Sequence, residues 1–69
     1  MTEPVTVNGE PRDWRDQSVL DLLGELDIGP ARSGVAVALN AGVLPRGAWG
    51  TTRLRPGDRV EIVHIVRGG

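Results

Sequence analysis

Apolar and polar residues alternate near both ends of the 69-residue chain, and between them one stretch repeats its apolar residues at helical spacing. Val5 and Val7 fall on one face of an extended segment. Asn8-Gly9 follows and favours a two-residue hairpin, because both residues tolerate positive φ. The return strand, near Pro11 to Trp14, is short. Pro11 cannot donate to a ladder, so this strand is predicted at an edge. Val19, Leu22, Leu23 and Leu26 then form one apolar helical stripe. Ser18 and Asp21 give a capping-box start. Gly29 suits the left-handed residue after a helix, and Pro30 cannot continue one. The spacing predicts a helix over 18–27 and a loop over 29–34.

Val35-Ala36-Val37-Ala38-Leu39-Asn40 is a second alternating strand, with valines and Leu39 on one face and alanines on the other. Asn40-Ala41-Gly42 reads as a turn and Val43-Leu44 as a short return strand. Pro45-Arg46-Gly47-Ala48-Trp49 reads as a single helical turn that Pro45 starts. Leu54 stands without periodic neighbours and is expected to plug the core. Arg55-Pro56-Gly57-Asp58 has the central residues of a type II turn. The last strand, 59–66, is apolar on both faces towards its end, which places it centrally in a sheet. A helix over a mixed sheet buries both the leucine stripe and the valine faces. The expected fold is α+β, a β-grasp or ubiquitin-like domain with four to five strands and one main helix. The helix links the first hairpin to the third strand, so a parallel pair is expected there. Residues 1–66 form the domain and 67–69 a flexible tail.

Composition narrows the chemistry. A chain this short cannot wholly enclose a substrate pocket of roughly 300 Å³, so any chemistry is expected in a partner's active site. It has no cysteine, which excludes disulfides, thiolate metal sites and a thiol nucleophile. One histidine builds no zinc site, and no metal ligands or bound cofactor are expected. A net charge of −1 argues against nucleic acid as a partner. No apolar run is long enough to span a membrane, and the cytoplasm is the expected location. All eight basic residues are arginine, a bias ascribed to base composition. The chain therefore offers no lysine amine for Schiff-base chemistry or for attachment of another protein.

What remains is Arg67-Gly68-Gly69. A terminal glycine has an unhindered α-carboxylate, and a second glycine adds no Cβ to meet the wall of a narrow channel. On this reading the carboxylate reacts and the body presents it. The plainer reading is a frayed tail without a role. With glycine at 10 of 69 positions, the pair alone does not decide between them.

The stretch Val35 to Asn40, then Val43-Leu44-Pro45-Arg46, Trp49, Leu54, Gly57-Asp58-Arg59-Val60-Glu61-Ile62-Val63 and Gly68-Gly69 resembles the ThiS family, the sulfur carriers of thiamin thiazole biosynthesis. The Ser18 to Leu23 helix start agrees in layout. Arg67 departs from the small or polar residues usual there, and Arg-Gly-Gly also resembles the ubiquitin ending. The resemblance implies a cosubstrate, not an enzyme. An ATP-dependent adenylating enzyme activates the Gly69 carboxylate. A persulfide from a cysteine desulfurase or rhodanese-like protein converts it to a thiocarboxylate, and thiazole synthase takes the sulfur. The free carrier is expected to be monomeric. Two rival destinations stay open: a small subunit of molybdopterin synthase or another sulfur carrier, and a protein modifier joined to lysines through Gly69.

Several side chains carry two readings. Val63 and Ile65 are expected on the face away from the helix, as an exposed docking patch beside the tail or as residues the hairpin covers. Arg46 is a partner anchor or a solvated loop arginine. Trp49 and Trp14 are read first as packing residues, and His64 as an ordinary strand residue. Arg67 either steers the tail into an acidic channel or only solubilises it.

Overall fold

A computed structural model of the chain describes residues 2–28 and 34–64. The strands are β1 (Val5–Val7), β2 (Glu10–Arg12), β3 (Val35–Leu39), β4 (Gly42–Leu44) and β5 (Arg59–His64). One helix, α1 (Val19–Glu25), follows β2, and a 3-10 turn (Arg46–Ala48) follows β4. The strands make one mixed sheet in the order β2-β1-β5-β3-β4. One helix over such a sheet is the β-grasp fold. β5 is central, as its apolar pattern requires, and the Pro11 strand lies at an edge.

Two expectations are corrected. The parallel pair joins β1 to β5, with Thr6 opposite Arg59 and Val7 opposite Val60, and not the first hairpin to β3. β3 instead runs antiparallel to β5 through five residue pairs. The longer ladder joins β5 to β3, and β1 takes the other edge of β5. The helix also stops earlier than Gly29 suggests. Leu26 is its C-cap and Asp27 takes the left-handed φ of 65°. The Ile28 N–H then donates to Leu23 O at 2.8 Å and the Asp27 N–H to Gly24 O at 3.1 Å. These two bonds make a Schellman closure, which buries Ile28 with Leu23. Ending one turn later would carry Ile28 out of the core.

The helix start follows the sequence reading. Ser18 Oγ accepts from the Asp21 N–H at 3.0 Å, and Asp21 Oδ2 accepts from the Ser18 N–H at 3.2 Å. The next free donors are taken by the chain crossing beneath. The Val19 N–H donates to Thr52 O and the Leu20 N–H to Trp49 O. That crossing puts Trp49 and Leu54 into the core with Val19, Leu22, Leu23, Val37 and Val60. Full burial of each such leucine or valine stabilises the fold by roughly 1.5–3 kcal/mol. Arg12 and Arg15 both pair with Glu25, tying the β2 edge to the helix. The Pro56-Gly57 turn forms as predicted, with Gly57 at φ 86° and the Asp58 N–H donating to Arg55 O.

Candidate functional site

β5 is the element to which residues 65–69 are joined. Its described part ends at His64. Ile65, Arg67, Gly68 and Gly69, all singled out by sequence, lie outside the described residues. Strand pairing fixes what surrounds the described end of β5. Val35 stands opposite His64, and Ala36 opposite Val63. On the β1 side Asn8 takes over where the ladder ends, its Oδ1 accepting from the Ile62 N–H at 2.8 Å. At the other end of β5, Asn40 Oδ1 accepts from the Arg59 N–H at 2.9 Å. The strand is thus fastened at both ends by turn asparagines that sequence reading assigned only to turns. Their reach to β5 spans 54 and 19 positions, so no local pattern shows it.

The two faces of β5 differ. Val60 is 1% exposed and faces the helix, whereas Val63 is 56% exposed and faces away. Val63 is thus exposed as expected, and the hairpin does not cover it. Directly paired residues share a face. Val43 stands opposite Ala38, which stands opposite Glu61. Val43, 84% exposed, thus lies on the same outward face as Val63, with the small Ala36 and Ala38 between them. Val43 was not expected at this surface. The signal was present in the alternation of β3, since alanines facing away from the core leave low ground that a neighbouring valine overlooks.

Arg46 is exposed on the turn that follows β4, two strands across the sheet from Val63. Its guanidinium lies over the Trp49 ring, 4.7 Å from the centroid. Trp49 is a core residue, 2% exposed, and its Nε1 donates to Leu44 O at 3.2 Å. Arg46 is therefore held on a rigid aromatic platform. Trp14 is half-buried, with Nε1 donating to Leu54 O at 2.9 Å. His64 is exposed at the rim of an open groove of about 440 Å³ between the β1–β2 hairpin and the end of α1. Among the described residues no group of three or more His, Cys, Asp or Glu could hold a metal ion. No helix is long and apolar enough to cross a membrane among these residues.

Comparison with known proteins agrees with this geometry. The family model described as the ThiS family matches residues 5–69. A Magnetococcus marinus protein called thiazole synthase is 36% identical over 66 residues, which make up 94% of this chain and 20% of that protein. The chain thus spans about one fifth of that relative's length. The sulfur carrier protein ThiS of Escherichia coli is 32% identical over 53 residues, 77% of each chain. The crystal structure of the thiamine biosynthesis protein ThiS from Geobacter metallireducens superposes with a TM-score of 0.77 at 36% identity, covering 96% of this chain and 99% of that one. By sequence and by fold, the chain belongs to the ThiS family.

Proposed function

We propose that this chain carries sulfur for the thiazole of thiamin on the carboxyl carbon of Gly69. The observation that carries the reading is the position of β5. The strand that precedes residues 65–69 in the sequence is central in the sheet, paired on both sides and fastened by two asparagines. A rigid body joined to a terminal glycine pair suits delivery of a reactive end to a distant active site. The E. coli relative's name, sulfur carrier protein ThiS, and the Magnetococcus relative's name, thiazole synthase, support the same destination.

The chemistry assigned to this end needs partners. A carboxylate is a poor electrophile. An activating enzyme uses ATP to join the Gly69 carboxylate to AMP with release of pyrophosphate, which supplies a good leaving group. A persulfide from a cysteine desulfurase or rhodanese-like donor then leads to the thiocarboxylate, and thiazole synthase accepts the sulfur. The carrier contributes no general acid or base and works as a cosubstrate. Its contribution is recognition: the outward face with Val63, the sequence neighbour Ile65, and the Arg46 platform are the proposed docking groups. An exposed apolar patch of this kind marks an interaction surface.

The test takes the intact mass of the protein with Gly69 as its free end, after incubation with ATP, an activating enzyme of the thiamin pathway and a sulfur donor. Exchange of one oxygen for sulfur supports the carrier. Higher-mass adducts on lysines of other proteins would favour a modifier. An unchanged mass with a competent activating enzyme would rule out both. Transfer from the loaded chain to thiazole synthase, compared with transfer to the large subunit of molybdopterin synthase, decides the destination.

A further inference from the structure

The chain has two asparagines, and both stand at positive φ in hairpin turns with Oδ1 on β5. The residue after each differs, Gly9 in one turn and Ala41 in the other. A backbone nitrogen that follows an asparagine can attack the side-chain Cγ and expel ammonia. A following glycine, without a Cβ, obstructs that attack least. We propose that Asn8-Gly9 is a latent self-modification site: the closed hairpin holds the reaction off, and opening of the hairpin lets Asn8 convert to isoaspartate, which ends its tether to β5. The inference is independent of the sulfur-carrier reading.

Crowding does not protect this turn. Both residues are exposed, and apart from its chain neighbours nothing lies within 4 Å of where a Gly9 Cβ would stand. The protection lies in the dihedral angles. The Val7–Glu10 pair closes the turn, with Asn8 at φ 52° and Gly9 at φ 84°. A left-handed residue has ψ of about +47°, which sets the next nitrogen nearly trans to Cβ about the Cα–C bond. Closing a ring between that nitrogen and Cγ needs the cis arrangement. The bond from the Ile62 N–H to Asn8 Oδ1, 2.8 Å long, draws electrons from Cγ and by itself favours attack. The nitrogen stands on the wrong side to use it. β1 meets β5 through two residue pairs, against five for β3, so this hairpin is the more weakly held flank. Its local opening supplies the reactive geometry.

In the opened turn the Gly9 N–H gives its proton to a base in solvent, and the nitrogen bonds to Asn8 Cγ. The Cγ–Nδ2 bond breaks and ammonia leaves, taking its proton from solvent. Water then adds to either carbonyl of the succinimide. Cleavage between Cγ and the Gly9 nitrogen gives aspartate, which keeps an oxygen for the Ile62 N–H. Cleavage between the Asn8 carbonyl carbon and that nitrogen gives isoaspartate. The backbone then runs through Cβ, the turn gains a carbon, and the carboxylate left on Cα lacks the reach of the original side chain.

The test follows the full chain in mildly alkaline buffer, folded and in guanidinium chloride. A protein-isoaspartate methyltransferase with a labelled methyl donor counts the product, and cleavage after arginine places Asn8 and Asn40 in different peptides. The unfolded chain is expected to convert at Asn8 and to leave Asn40 intact over the same time. The folded chain is expected to convert at least about tenfold more slowly, because only its open fraction reacts. Val5→Ala, which removes buried contacts of β1, is expected to bring the folded rate towards the unfolded one. The isoaspartate form, separated and refolded, is expected to exchange the Ile62 amide hydrogen faster than the parent. Asn8→Asp, which retains the acceptor, is expected to keep the parent's protection. Equal rates in the folded and unfolded chain, or a Val5→Ala rate no faster than the parent's, overturn the gating by the hairpin. An Asn8 that stays intact in the unfolded chain overturns the site, and parent-like Ile62 protection in the isoaspartate form overturns the loss of the tether.

Discussion

The β1–β2 and β3–β4 hairpins flank the central strand and are built to one plan, with one telling difference. Each closes on a two-residue turn with both central residues at positive φ: Asn8 and Gly9 at 52° and 84°, Asn40 and Ala41 at 51° and 71°. Each asparagine offers Oδ1 to a backbone N–H of β5. Each hairpin is followed by a tryptophan whose indole N–H donates to a backbone carbonyl. The difference is Gly9 against Ala41. A left-handed residue without a Cβ is unstrained, whereas an ordinary L-residue there costs roughly 1–2 kcal/mol. The second hairpin tolerates that cost because β3 is anchored along five residue pairs to β5, against two for β1. Local turn chemistry matters most where the long-range ladder is shortest.

The tryptophans carry the greatest expected effect in this comparison. Trp49→Ala removes a fully buried indole and is expected to destabilise by about 3–5 kcal/mol, read by urea unfolding. Trp14→Ala, at the half-buried site, is expected to cost about 2 kcal/mol by the same reading. Equal losses would break the distinction between a core anchor and an edge brace. The asparagines come next. Asn40→Ala and Asn8→Ala should each cost about 1–2 kcal/mol, since each leaves a β5 N–H without its acceptor. The Asn8 change should in addition speed hydrogen exchange at the Ile62 amide, and no change there would sink the assigned role of its side chain.

Exchanging the turn residues addresses the difference itself. Ala41→Gly should stabilise by about 0.5–1 kcal/mol and Gly9→Ala should destabilise by about 1 kcal/mol. The double exchange should therefore leave the unfolding midpoint nearly unmoved. The smallest stability effect belongs to the outward face. Val63→Ser should change stability by less than about 0.5 kcal/mol while lowering the rate of loading by the activating enzyme. A loss of stability comparable with Asn8→Ala would show that Val63 serves the fold instead of recognition.

Local chemistry was the part of this fold that the sequence made legible. The Ser18–Asp21 box, the Pro56-Gly57 turn and the proline-bearing edge strand each depend on residues within four positions, and each formed as read. Long-range choices were not legible in the same way. β1 and β3 are equally valine-rich, so nothing in either strand says which pairs parallel with which partner. The helix stop was misplaced because Gly29 is the stronger local signal, while burial of Ile28 against Leu23 favoured a left-handed Asp27 two residues earlier. For the site, the alternation near the end of β5 did identify Val63 as facing outward. Val43 and the tethering asparagines needed the register of the sheet, which is set by pairing across the whole chain.

The paired tryptophans also make the molecule its own optical gauge. The chain has two tryptophans and neither tyrosine nor phenylalanine, so its near-ultraviolet signal arises from two indoles. One sits in a dry core beneath an arginine and the other half in water at the far hairpin. Their emission maxima should separate, the Trp49 component lying to the blue. Each hairpin can therefore be watched without an added dye, and a partner that settles against the Arg46 platform should dim or shift one colour while leaving the other in place.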